Sequence, residues 1–427
     1  MTLSNTSQSK APHILYSTFI VGLAALFYLY EFFIRVTPAS ITHELMRDLN
    51  ASAPALGIMS GCFFAAYAPM QLPVGMLCDR FGTKKLMTVA ILVCGLATLC
   101  FSMVHSIVLA SLMRFLIGLA SAFAFVGPLV LATHWFEARH LATISGIIQT
   151  LGCLGAIFAG EPIAQLIQTF NWRTVVGYSG LLGLILTAFF AFYLKDKPDT
   201  ESITEPERPI QLKDIKALCQ QPHTRWISIA AFASWAPMSI FAELWGTSFL
   251  MTSYHASQTE ATAATAWIWI GVAIASPLAG GWSTRIRSRR IPLITFNAIG
   301  LFASCVLIFF HLNGWVMIDT LLFLLGVAAG SQPITFGLAC DYNPPKIHGT
   351  AMGLNNMAVI AGGVLLQPLV GYLLNLFWDH QLKDGAPIYQ LVDYQYALIL
   401  IPIVYLLGLW ATYFHIKETY CESMTSV

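Results

Sequence analysis

Charge is what this sequence has least of. Only 10% of its 427 residues are Asp, Glu, Lys or Arg, against about 25% in an ordinary soluble protein. With 57% of the chain hydrophobic, a water-solvated fold is excluded, and lipid must be the solvent for much of it. A net charge of +1 excludes nucleic acid as a partner, which needs a clustered excess of Lys and Arg. The nine cysteines contain no CxxC pair, so they read as small buried hydrophobes, with neither a disulfide frame nor a zinc site. The eleven histidines form no spaced cluster, so no metal is expected. No Walker loop is present, which excludes ATP as the energy source. No serine–histidine constellation appears either, so neither an enzyme nor a cofactor is expected. The polar start "MTLSNTSQSKAPH" lacks a cleavage site behind a short apolar core. It reads as a cytoplasmic tail ahead of a retained span.

Long apolar runs are what the sequence has instead. A bilayer core takes about 20 apolar residues as helix, and helices satisfy their own backbone there. Twelve runs qualify: 14–40, 52–77, 85–104, 107–133, 142–168, 173–194, 226–252, 261–283, 291–311, 315–338, 349–377 and 393–415. With the N-terminus inside, seventeen of the 22 Lys and Arg fall on inside segments and three, Arg47, Arg173 and Lys383, fall outside. The positive-inside rule then makes both termini cytoplasmic. The predicted organisation is a tail (1–13), a six-helix bundle (14–194), a charged cytoplasmic linker (195–225), a second bundle (226–415) and a tail (416–427).

The two bundles repeat. At a shift of 206, Glu161-Pro162 falls on Gln367-Pro368, and Trp172 on Trp378. At 205, Gly75, Arg80, Lys84 and Lys85 fall on Gly280, Arg285, Arg289 and Arg290. Duplicated helical halves with a site between them near the midplane are the architecture of alternating-access transporters.

Between spans two and three the sequence reads "GMLCDRFGTKK", residues 75–85. This resembles the signature loop of the major facilitator superfamily, with Gly75, Leu77, Asp79, Arg80, Gly82, Lys84 and Lys85 all matching. "RFLIG" (114–118), "GCLGAIFAGEP" and "NWRTVVGYSG" also look like superfamily sequence. The resemblance covers nearly the whole chain. It implies an all-α membrane protein of two pseudo-symmetric six-helix bundles. It also implies a cytoplasmic gate built on Gly75, Asp79, Arg80 and Gly82, with Arg139 of "WFEARH" as the candidate partner of Asp79. Physically, Gly75 suits a close helix approach, and Asp79 can accept from a helix N-terminus or an Arg. Thr284 stands where Asp79 would repeat, so a second clamp must be made differently.

An ionisable residue at the centre of a span costs about 2.5–3.5 kcal/mol on insertion scales, which makes it a site candidate by default. Glu31 and Arg35 in span one, Arg114 in span four, Glu161 in span five and Glu243 in span seven qualify. Glu31 and Arg35 are spaced to share a helix face in the favourable order, so a local ion pair stands beside a functional role. The resemblance places spans one, four, seven and ten on the cavity and implies that Arg35 meets an acidic substrate group. The organic-anion symporter branch often carries a Glu where this chain has Ser121. That moves proton coupling to Glu31 and Glu161. Tyr67, Gln71, Gln332, Asn355 and Asn356 complete the candidate substrate contacts. The expected function is proton-coupled uptake of a small anionic or zwitterionic solute by a monomer in a bacterial inner membrane. Efflux antiport and a carrier-fold sensor are the alternatives.

Overall fold

The computed structural model describes residues 14–137, 140–196, 216, 218–344 and 347–424. Among the described residues, twelve helices are long and apolar enough to cross a bilayer: Ile14–Ser40, Ala53–Met70, Thr83–Met103, Ile107–Trp135, Thr143–Thr169, Trp172–Tyr193, Pro222–Tyr254, Gln258–Arg285, Arg290–Phe309, Trp315–Asp341, His348–Leu376 and Leu391–Phe414. They are spans one to twelve below. An even number of crossings puts Ile14 and Phe414 on one face, called here the terminal face. Most of the 195–225 linker and Arg139 lie outside the described residues.

Prolines correct the expected boundaries. Span two stops at Met70 rather than 77, because Pro69 and Pro73 bracket a turn and neither has an N–H to continue the ladder. The chain resumes as a separate helix, Val74–Phe81. Span five breaks after Phe158 and restarts at Glu161, with Pro162 in the new first turn. Span ten breaks after Ala329 and restarts at Gln332 with Pro333 in the same position. Span seven is interrupted by a π-helical turn, Phe241–Trp245.

The duplication is visible where backbones touch. A Cβ on Gly118 would sit 2.0 Å from the Phe63 carbonyl oxygen, and one on Gly326 would sit 1.9 Å from that of Ile268. These two contacts pair spans four and two, then ten and eight, and only glycine permits them. A second correspondence lies on the terminal face. The Lys84 N–H at the start of span three donates to Asp196 Oδ1 at 2.6 Å. The Arg289 N–H beside the start of span nine donates to Glu418 Oε1 at 2.8 Å. Arg290 N adds a bond to Glu418 Oε2 at 3.2 Å. Each bundle thus has its third helix capped by a carboxylate just past its sixth.

The halves also meet at the face opposite the termini. Gln258 Nε2 donates to the Ser40 carbonyl oxygen and lies 3.3 Å from Glu44 Oε1. Gln168 Nε2 donates to Thr259 Oγ1 at 2.7 Å, and the Ala53 N–H donates to the Tyr389 hydroxyl at 3.2 Å. A two-stranded hairpin, Leu382–Lys383 with Ala386–Pro387, sits between spans eleven and twelve. It packs on the short helix Thr42–Asp48 of the other half.

Candidate functional site

Span one carries Glu31 and Arg35 one turn apart, and the structure closes the pair. Arg35 Nε donates to Glu31 Oε1 at 2.8 Å, and Arg35 Nη2 lies 2.8 Å from the same oxygen. Span seven supplies a third member, since Arg35 Nη1 is 3.7 Å from Glu243 Oε1. Span four supplies the fourth. Arg114 Nη1 donates to the Ile34 carbonyl oxygen at 3.0 Å and Nη2 to that of Arg35 at 3.2 Å. Glu31 is 0% exposed, Glu243 and Arg114 1%, and Arg35 3%. Two cations and two carboxylates therefore share one dry centre, with formal charges that cancel.

Each member arrives by a different local device. Helical spacing alone brings Glu31 to Arg35. Arg114 answers a backbone defect: Pro38 has no N–H to give the Ile34 carbonyl four residues earlier, and the guanidinium supplies one. Glu243 lies in the π turn of span seven, whose extra residue per turn rotates the side chains that follow. Gly246 permits that turn, because a Cβ there would meet the Phe241 ring at 2.5 Å. Gln367 of span eleven holds the turn's approach, donating to the Ser239 carbonyl oxygen at 2.6 Å. Its own carbonyl accepts from Trp245 Nε1 at 3.2 Å.

The cluster is imperfectly satisfied. Among the described residues, no group meets Glu31 Oε2, either Glu243 carboxylate oxygen or Arg114 Nε in good hydrogen-bond geometry. Buried polar groups are otherwise almost always paired; Glu243 is held mainly by the charge of Arg35, with the Ser239 and Trp235 side chains as weaker polar neighbours. Around the charges stand rings. The Arg35 guanidinium lies 4.4 Å from the Phe32 ring centroid, 4.9 Å from Tyr67 and 5.3 Å from Phe63. Arg114 lies 4.8 Å from Phe63. Beyond these, Phe32 meets Trp269 edge-on, and Trp269 neighbours Trp235. Cation–π attraction offsets part of the cost of drying the guanidinium.

The other candidates are distributed. Tyr67 belongs to the ring cage. Gln71 and Asn356 bond each other across the halves, with Asn356 Nδ2 donating to Gln71 Oε1 at 2.7 Å. Asn355 donates to Thr335 Oγ1 at 2.9 Å. Gln332 enters that group through its carbonyl oxygen, which accepts from Thr335 at 2.7 Å. Glu161 is not brought to the centre. It opens the second segment of span five, and its carboxylate accepts from Gln165 at 2.9 Å. At the loop, Arg80 is exposed and lies 5.2 Å over Phe81. Gly82 takes a positive φ of 85°, and a Cβ on it would come within 2.9 Å of the Asp196 carboxylate. Among the described residues, nothing lies within 4 Å of a Cβ placed on Gly75. Arg139 and the Asp79 side chain fall outside the described residues.

Sequence reasoning missed the π turn and the two capping carboxylates. Pro237 with Gly246 was the only local hint of an irregular span seven. Asp196 and Glu418 stand 222 residues apart, whereas Lys84 and Arg289 stand 205 apart, so no single shift could reveal both.

Residues 20–249 and 227–420 match the family model of the Major Facilitator Superfamily. A probable sulfoacetate transporter of Cupriavidus necator is 26% identical over 183 residues, 43% of each chain. A probable galactarate/D-glucarate transporter of Bacillus subtilis (strain 168) is 22% identical over 380 residues, 80% of this chain and 82% of that one. The inward-facing, unoccupied structure of a bacterial homologue of the human lysosomal transporter Spinster superposes with a TM-score of 0.77 at 15% identity. It covers 94% of this chain and 97% of that one.

Proposed function

Because the chain belongs to the major facilitator superfamily and is an integral multi-pass transporter, we propose that it moves a small organic anion by alternating access, coupled to a proton. The observation that carries the reading is the buried centre in which Arg35, Arg114, Glu31 and Glu243 sum to zero charge. A neutral dry cluster admits an anion only if a positive charge enters with it. The weakest link is Arg35 to Glu243, at 3.7 Å and without a hydrogen bond. An incoming carboxylate replaces Glu243 at the Arg35 fork. Left without its cation in apolar surroundings, Glu243 takes a proton. One negative and one positive charge have then entered together.

This reading moves the proton from Glu161, bonded to Gln165 on span five, to Glu243, with Glu31 as the second carboxylate. It also gives Arg35 a gating part, because Glu243 stands in the second half and Arg35 in the first. The excess of Lys and Arg on the terminal-face segments supports a cytoplasmic placement of both ends. Export of lipophilic cations, the alternative, has two buried arginines against it.

Proteoliposomes carrying a pH gradient test the reading. Arg35→Ala is expected to abolish both uptake and exchange of a carboxylate substrate. Glu243→Gln is expected to keep exchange while losing accumulation driven by the gradient. Normal transport by Arg35→Ala would sink the anion site, and gradient-driven accumulation by Glu243→Gln would sink the coupling role.

A further inference from the structure

Resting on the anion-site reading above, we propose that the solute carries one carboxylate on a compact aromatic or branched hydrocarbon body, and that polyhydroxylated diacids are rejected. Two independent features of the centre lead there.

The first is the count of usable cations. Among the described residues, Arg35 and Arg114 are the only buried Lys or Arg. Arg114 is committed to span one, where it satisfies the Ile34 and Arg35 carbonyls. Arg35 alone is held by side chains that a substrate can displace, and Glu243 touches it without a hydrogen bond. One available guanidinium serves one carboxylate. A second carboxylate in the same dry space would face Glu31 and Glu243 with no cation left to meet it.

The second is the wall chemistry. A group held at Arg35 lies among the faces of Phe32, Phe63, Phe64 and Tyr67, with ring centroids 4.4–5.8 Å from the guanidinium carbon. Trp269 and Trp235 continue the apolar wall into the second half. The neutral amides are each engaged at one end, leaving only Gln71 Nε2, Asn355 Oδ1 and Gln367 Oε1 open among their buried atoms. Gln71 bonds Asn356, Asn355 bonds Thr335, and Gln367 bonds the Ser239 carbonyl. Those few open atoms cannot pair every donor and acceptor of the four hydroxyls on a sugar diacid, and the rest would lose water against ring faces. A hydrocarbon body would gain from the same surfaces.

The test uses the full-length purified protein, by thermal shift and by competition for proteoliposome uptake. The probes are phenylacetate and 4-methyl-2-oxopentanoate, phenylalanine and leucine, and D-glucarate and tartrate. Either apolar-bodied acid is expected to stabilise the protein and to half-saturate uptake at a concentration about 100-fold below that of glucarate, the discrimination an apolar pocket makes against even one added hydroxyl. A preference for phenylalanine and leucine over the acids also supports the proposal and assigns their ammonium group to Glu243. Preferred uptake of glucarate or tartrate, abolished by Arg35→Ala, overturns it while leaving anion transport intact. If no carboxylate is carried in an Arg35-dependent way, the underlying anion site and this proposal fail together.

Discussion

Arg114 performs a repair. A proline inside a helix strands the carbonyl four residues earlier, and in span one that carbonyl belongs to Ile34, which Arg114 serves from span four at 3.0 Å. Arg114→Ala should therefore destabilise the protein by about 1–3 kcal/mol, the cost of a buried acceptor left alone. The melting temperature in detergent reads this directly. Pro38→Ala restores the missing N–H, so the double variant should melt higher than Arg114→Ala alone. Equal melting of the two would show that Arg114 stabilises by another route. At this scale the sequence was partly legible. Glu31 and Arg35 were readable as a pair because four residues make one turn of helix. Arg114 and Glu243 stood out as charges that oil excludes, yet nothing in their spacing announced that all four share one centre. Glu161 looked equivalent by the same rule and was not, because the break before Pro162 starts a new helix there.

At the scale of elements, the twelve spans were legible because lipid imposes length and apolarity on each of them. The interruptions were less so. Proline marks where a ladder fails, but whether the chain kinks, restarts or swells into a π turn depends on the neighbour that catches the freed groups. The capping carboxylates are an example, since each comes from a distant segment. Glu418 is half-buried, which opposes its ionisation, but hydrogen bonds from Ser288 and from the N–H groups of Arg289, Arg290 and Tyr420 hold its carboxyl below the usual range. A lowered acid contributes stability above its unfolded pKa and loses it as pH falls through the folded value. The contact of the 416–424 segment should thus hold at neutral pH and loosen below about pH 4, where glutamate normally titrates. Hydrogen exchange of that segment, corrected for intrinsic rate, should rise over that interval. Glu418→Gln should show the same release already at pH 7. Unchanged protection in the variant would mean that the tail is held by Arg287 with Glu422 and by Asp341 with Thr419 instead.

For the whole molecule, the repeat predicted two halves and left their mode of contact open. Pairings such as Gln258 with Ser40 or Asn356 with Gln71 join residues more than 200 positions apart, and no periodicity encodes them. Tyr389 is the simplest handle on the seam, because its hydroxyl accepts from the Ala53 N–H between the halves. Tyr389→Phe should shift the conformational balance toward separation on that face. Spin labels at Arg47 and Asp384 should report a larger population of long distances. An unchanged distribution would mean that the hairpin and the glutamine contacts suffice to hold the face shut.

The hairpin-bearing loop has a further consequence, since it lengthens the second half by the difference between the two repeat offsets, 205 and 222. The duplicated halves are related by an axis along the membrane normal, so each mouth is built from matching segments of both halves. A strap supplied by one half alone, at one mouth alone, breaks that match. In the alternating cycle proposed above, the strap is expected to lengthen the unloaded carrier's dwell with that mouth sealed, so that half-saturation measured from the two sides of the membrane should differ.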